Sequence, residues 1–316
     1  MSNARHHKAP GRSDRDLPGR VVGDPASSSW PPAGDRAVLL GPRRLSAVRS
    51  AIALGAVACL ISAGCGDPQP RFNAQDQYGR TYYIDGAGNW GYGVSEVRDG
   101  LRQAGYRGNI VIYGWSPTFN PALDQTVGRP IARAKGEQLG RQITRYCERF
   151  TDNQVNVIAL SAGTGVAVWA CENVEPPARV HNLILLGSSL SATYDMRKAL
   201  ANIEGKVYVY HSRQDMVLQG PVRTLGTIDG KLAVDAAGLV GLLPPAGGSG
   251  KIENIPWSRK YERYGWTGAH TDATSVPFVR THLARHIIRN SNAGGQEGRC
   301  IRSFLAVRRR SALGNL

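Results

Sequence analysis

The chain predicts an α/β fold, a mostly parallel sheet with helices on both faces, set between basic termini expected to be disordered. Three observations lead there. Short runs rich in β-branched residues alternate with longer stretches at helical spacing, the pattern of strands buried on both faces and joined by crossover helices. The strand–helix order continues without an internal repeat, which the other layered classes do not explain. Roughly 220 of the 316 residues lie between the two polar ends, enough to bury one core and short for two.

Taken in order, residues 82–85 read as the first strand, 94–104 as a helix stopped at Gly105, and 109–113 as the second strand. A loop with Pro117 and Pro121 leads into a long helix over 132–150. A Val-rich strand at 155–160, a helix at 163–173, strands at 180–186 and 206–210, and a closing helix at 275–288 follow. The stretch 216–266 resists assignment. It is rich in Gly and Pro and includes LVGLLPPAGGSG at 239–250; a lid or binding loop and plain disorder both fit it.

Charge qualifies the ends. The formal net charge is +15, from 39 Lys and Arg against 24 Asp and Glu, but residues 1–64 and 288–316 each carry five of that excess. A basic pI ordinarily suggests a nucleic-acid partner; with the excess confined largely to the tails, none is expected here. Residues 1–42 lack hydrophobic periodicity and read as a disordered extension or a start assigned too early. Arg43, Arg44 and Arg49 then precede an apolar run to residue 64. That run is shorter than the about 20 residues a bilayer span needs and matches a secretory core, so 43–64 reads as a signal peptide. Residues 65–288 are the expected single domain. Residues 289–316, with Arg308, Arg309 and Arg310, read as a mobile basic tail, either simply solvated or drawn to an anionic envelope surface.

Export would leave Cys147, Cys171 and Cys300 as thiols inside the domain and tail. Cys147 closes the helix entering the third strand and Cys171 lies near the end of the helix leaving it, which places both at the amino-end face of the sheet. A Cys147–Cys171 disulfide worth about 3 kcal/mol in the chain-entropy model and two separately buried thiols both fit.

In an open α/β sheet, ligands bind beyond the carboxyl ends of the strands. The third strand ends in Ala159-Leu160-Ser161-Ala162-Gly163-Thr164-Gly165. A serine in a tight strand-to-helix turn needs small residues two before and two after it. The segment resembles the nucleophile elbow of the α/β-hydrolase superfamily, with Ala159 in place of the usual Gly. That resemblance implies an acid and a histidine arriving later in the chain. Asp215, in the loop His211-Ser212-Arg213-Gln214-Asp215 after the fifth strand, resembles the family's acid, with Asp195 and Asp235 as substitutes. His270, in the Gly-containing loop 265–270 before the closing helix, resembles its base. The amide of Ala162 would supply one oxyanion donor. The turn Asp85-Gly86-Ala87-Gly88-Asn89-Trp90 resembles the His-Gly-x-Gly turn of lipases and esterases, with Asp85 in the His place, and puts the amide of Ala87 in the second donor role. Trp115 either lines the acyl or alcohol side or covers the sheet end.

The resemblance runs over 82–288 in element order. It implies a minimal, cutinase-like or esterase/lipase-like member without the family's first two strands and without a cap domain. Residues 61–65, Ile-Ser-Ala-Gly-Cys, resemble the lipobox of bacterial lipoproteins, with Ser62 where Leu is usual; acylation of Cys65 and simple cleavage both stay open. The expected function is an exported, periplasmic or envelope serine hydrolase that cleaves a small-molecule or lipid carboxylic ester through the Ser-His-Asp triad and an acyl-enzyme, and that a lipid anchor would tie to the membrane. An acyltransferase on the same fold and a non-catalytic lipid-anchored binding module are the alternatives.

Two further signals point elsewhere and are set aside. His282 and His286 have the i, i+4 spacing of a zinc helix, but Leu283 stands where a zinc protease carries its Glu, so a solvated helix face is expected. Gly86-x-Gly88 lacks the third Gly and the acidic residue of a dinucleotide site. No cofactor and no metal is implied.

Overall fold

The computed structural model describes residues 70–243 and 250–288. The expectations for 1–42, for the signal peptide 43–64, for Cys65, for Cys300 and for the tail 289–316 therefore fall outside the described residues. The elements run β1 (Arg80–Ile84), α1 (Val94–Gln103), β2 (Asn109–Ile112), α2 (Pro121–Gln125), α3 (Arg129–Arg149), β3 (Val155–Leu160), α4 (Gly163–Glu172), β4 (Asn182–Leu186), α5 (Arg197–Ala201), β5 (Val207–His211) and β6 (Ile252–Pro256). The strands form one sheet in the order β2-β1-β3-β4-β5-β6, and every neighbouring pair is parallel.

Side chains of the central strands feed two apolar layers by simple alternation. Tyr82, Ile84, Val155, Val157 and Ala159 face the layer built with α3 and α4, where Leu139, Ile143, Val166 and Trp169 are buried. Tyr83, Ile158 and Leu160 face the opposite layer, with Val97 and Leu101 of α1 and Phe278, Val279 and Leu283 of the closing segment. Burial on both faces explains why β3 and β4 read as nearly continuous apolar runs.

Three boundaries differ from expectation. β1 begins at Arg80 because the guanidinium is buried against Asp76 (Nε–Oδ1 2.7 Å), so a charged residue occupies a core strand position. β6 lies inside the unassigned stretch. It is an edge strand that pairs only with β5, its residues are mostly half-buried or exposed, and it ends in Pro256, so it carries little of the apolar signal of a central strand. The closing helix is helical over 276–286 but irregular, α at Val276–Phe278, wider at Val279–Leu283 and tighter at Ala284–His286.

Of the two possibilities left open for Cys147 and Cys171, the structure shows the separate thiols, and one further side-chain expectation is corrected. No disulfide joins Cys147 to Cys171: both are buried thiols within the α3–α4 layer, and Cys147 Sγ is directed at the carbonyl of Arg179, 3.8 Å away. His282 and His286 are not a solvated face. His286 stacks on Tyr208 with ring centroids 3.6 Å apart, and His282 packs among Tyr261, Tyr264 and Phe278. Among the described residues no helix is long and apolar enough to cross a membrane.

Candidate active site

From β1 the chain steps to one side of the sheet for β2 and returns past β1 to the other side for β3. Crevices form at the carboxyl ends of strands at such a switch. The register pairs Ile84 with Ala159, so the glycine-rich turn after β1 stands beside the turn after β3, which carries Ser161.

Ser161 adopts φ +52°, a left-handed conformation that costs a non-glycine residue of the order of 1–3 kcal/mol. The surrounding backbone holds it there. Its amide donates to the Leu186 carbonyl at 3.0 Å, and its own carbonyl accepts from the amides of Thr164 (3.1 Å) and Ser189 (3.3 Å). Gly163 is required by close approach, since a Cβ there would lie 2.3 Å from the carbonyl oxygen of Asp85. Ala159, the departure from Gly, is wholly buried in the core layer.

Asp215 and His270 meet on the other side of the crevice. His270 Nδ1 donates to Asp215 Oδ2 at 2.7 Å, and the carboxylate is 3% exposed against 13% for the imidazole. Asp215 Oδ1 accepts from the amides of Val217 and Leu218, both at 3.1 Å, so its orientation is fixed by backbone before the histidine is counted. Below the pair lies Gly187, at φ +47°; a Cβ there would stand 3.0 Å from the His270 carbonyl oxygen and 3.3 Å from Asp215 Oδ2. The substitute acids lie elsewhere: exposed Asp195 binds Arg197 at 2.6 Å, and exposed Asp235 stands 3.8 Å from Arg223.

Ser161 and His270 line one cavity of about 600 Å³ together with Ala87, Gln125, Leu160 and Val222. No hydrogen bond links Ser161 Oγ to His270 Nε2, and neither atom has another partner among the described residues. Contacts of this kind are often long without substrate and tighten around it. Exposed Trp90 and Met216 stand at the cavity wall as well.

The turn after β1 is organised by two carboxylates. Asp85 accepts from the amides of Gly86 (2.6 Å) and Gly91 (2.8 Å), and burial pushes its carboxyl above the ordinary range against the pull of those amides. Asp124, buried in α2, accepts from the amide of Gly88 at 2.8 Å. The amides of Ala87 and Ala162 have no acceptor among the described residues. A serine hydroxyl, an imidazole held at its far nitrogen by a carboxylate, and two uncommitted amides are the inventory that acyl transfer requires.

Trp115 covers the sheet end: it is buried, its indole N–H donates to the Asp85 carbonyl at 2.8 Å, and it does not border the cavity. The segment 216–225 does border it, through Met216, Val217, Pro221, Val222 and Leu225. Asp124 and Gly187 were beyond sequence reasoning. Asp124 looks like an ordinary acid in the first turn of a helix capped by Asn120, and nothing local marks Gly187 as lying under Asp215.

No family model matches the chain, and no curated protein matches it. Among solved structures, Aspergillus fumigatus lipase B is similar at 12% identity and a TM-score of 0.40, over 70% of this chain and 53% of that one. This chain thus spans about half the length of that lipase. Esterase 2 of Thermogutta terrifontis is similar at 10% identity and a TM-score of 0.38, over 69% and 83% of the two chains. The RedJ thioesterase of Streptomyces coelicolor is similar at 13% identity and a TM-score of 0.35, over 79% and 97%.

Proposed function

We propose that this chain is a serine hydrolase that cleaves carboxylic esters through an acyl-enzyme. The observation that carries the reading is the 2.7 Å His270–Asp215 pair opening onto the same cavity as a serine held at φ +52°. Ser161 Oγ attacks the ester carbonyl carbon while His270 Nε2 takes its proton. The oxygen that becomes negative is received by the amides of Ala87 and Ala162, which have no acceptor among the described residues. The tetrahedral adduct collapses, the C–O bond to the alcohol breaks, and His270 returns the proton to the leaving alcohol. Water then repeats the sequence on the acyl-serine, giving the acid and the free serine. Asp215 keeps Nδ1 protonated and stabilises the imidazolium.

Among the described residues lining the cavity there is no Lys, Arg, Asp or Glu, which favours an uncharged, largely apolar ester. The basic run, short apolar core and Ile61-Ser62-Ala63-Gly64-Cys65 support export with acylation at Cys65. Intact mass of the membrane fraction checks that part, and an unprocessed, unacylated chain removes it.

The deciding experiment is hydrolysis of a short-chain p-nitrophenyl ester together with labelling by a fluorophosphonate. Ser161→Ala is expected to lose labelling and at least about 10³-fold in turnover. Wild-type turnover in Ser161→Ala would end the reading.

A further inference from the structure

The geometry points to Asp124 as a positioning residue for the oxyanion donor at Ala87. The inference rests on the esterase reading. In the turn after β1, the amides on either side of Ala87 are both taken by carboxylates: Gly86 N–H by Asp85 Oδ1 at 2.6 Å and Gly88 N–H by Asp124 Oδ2 at 2.8 Å. The Ala87 amide between them is the one left without an acceptor among the described residues, and Ala87 borders the cavity beside Ser161. The arrangement matters because side-chain bulk cannot define this turn. Gly86 and Gly88 flank the donor, and Gly88 and Asn89 have φ of +87° and +50°. Glycine has little steric bias between one orientation of a peptide plane and its flip. Hydrogen bonds to charged acceptors supply the missing bias, being roughly twice as strong as neutral ones.

Asp85 is part of the turn itself, whereas Asp124 comes from another element and ties the turn to it. The carboxylate of Asp124 is wholly buried. Its Oδ2 also accepts from the Ser116 hydroxyl, and its Oδ1 accepts from the Thr118 hydroxyl at 2.8 Å. Three donors from two loops thus converge on one carboxylate, and Trp90 adds a parallel tie by donating its indole N–H to the Phe119 carbonyl at 3.0 Å. With its lone pairs satisfied, Asp124 holds the turn after β1 against the loop after β2 and fixes the peptide plane that follows the Ala87 donor, the plane before Gly86 being held by Asp85. Its effect on chemistry is expected in the transition state, where the oxyanion forms, rather than in ground-state binding.

The test compares wild type, Asp124→Ala and Asp124→Asn on p-nitrophenyl butyrate, with inhibition by phenylboronic acid as a tetrahedral mimic and thermal melting as a control. Asp124→Ala is expected to lose about 10²-fold in kcat, the scale of losing one oxyanion donor. KM should stay within about threefold and boronate affinity should fall with kcat. Asn keeps one oxygen for Gly88 and Ser116, so Asp124→Asn should retain a kcat about three- to tenfold below wild type, with KM and melting temperature unchanged. If Asp124→Ala does not melt cooperatively, Asp124→Asn carries the test alone. A folded Asp124→Ala with wild-type kcat, a loss confined to KM, or an Asp124→Asn of unaltered kcat overturns the inference while leaving the esterase reading intact. A wild-type chain that neither turns over the ester nor takes a fluorophosphonate at Ser161 overturns the reading, and the inference with it.

Discussion

At the scale of single residues, the site depends on close approach more than on attraction. Gly163 is pressed against the carbonyl oxygens of Asp85 and Ile84, with a Cβ placed 2.3 and 2.9 Å from them. Backbone on that side cannot give way as the end of a flexible side chain can. Gly163→Ala is therefore expected to lose at least about 1–3 kcal/mol of stability in urea unfolding, the range for overpacking. Gly187 is different: the contacts a Cβ would make are 3.0–3.3 Å, and they fall on His270 and Asp215 themselves. Gly187→Ala is expected to displace the His–Asp pair, lowering ester kcat more than about tenfold while the melting temperature falls only a few degrees. A kcat within about threefold of wild type, or a loss of cooperative melting as in a general unfolding mutant, would contradict that assignment. The sequence made Ser161, Asp215 and His270 legible because each sits just past a strand or just before the closing helix. It hid Gly187 and Asp124 because their roles arise from contact with residues distant in the chain, and a glycine or a helical aspartate carries no local mark of such contact.

At the scale of elements, the closing segment and α4 give two separable tests. His286 stacks on Tyr208 and its Nε2 is hydrogen-bonded to the Tyr210 hydroxyl at 3.0 Å. Burial, reinforced by Arg285, lowers its pKa from the ordinary 6.5 to about 4. The unfolded chain therefore binds more protons than the folded one between these values, and the stability present above about pH 6.5 is lost as pH falls toward about 4. Denaturation midpoints at pH 7 and pH 4.5 should diverge more for wild type than for His286→Phe, whose ring has no nitrogen to protonate. In α4, burial pushes the Cys171 thiol well above its ordinary value, so the thiolate needed for alkylation is scarce. Iodoacetamide should modify Cys171 only after the fold is opened with denaturant, a result read directly by peptide mass. β3 and β5 were legible as uninterrupted apolar or alternating runs, whereas β6 was not, because an edge strand that buries so little of itself carries almost none of the periodic signal that a central strand does.

For the whole molecule, the proposed reaction divides between two halves of the chain: Ser161 and the turn after β1 belong to β3 and β1, and Asp215 and His270 come after β5. That order of elements was legible in the sequence, since it follows from alternation alone, while the cavity between the halves was not, since it is a property of how loops pack. The lining offers a carboxylate no cationic partner among the described residues, and burying an unpaired charge is expensive. A neutral p-nitrophenyl butyrate should accordingly exceed the monoanionic p-nitrophenyl succinate in kcat/KM by at least about tenfold; equal values would contradict the apolar assignment. Trp90 has a use of its own. It borders this cavity, is 57% exposed and packs edge-on against Tyr92, whereas Trp115 and Trp169 are buried away from the opening. An indole so placed is a built-in optical reporter, whose emission should shift as an apolar guest displaces water from the opening, giving occupancy without any chemical turnover.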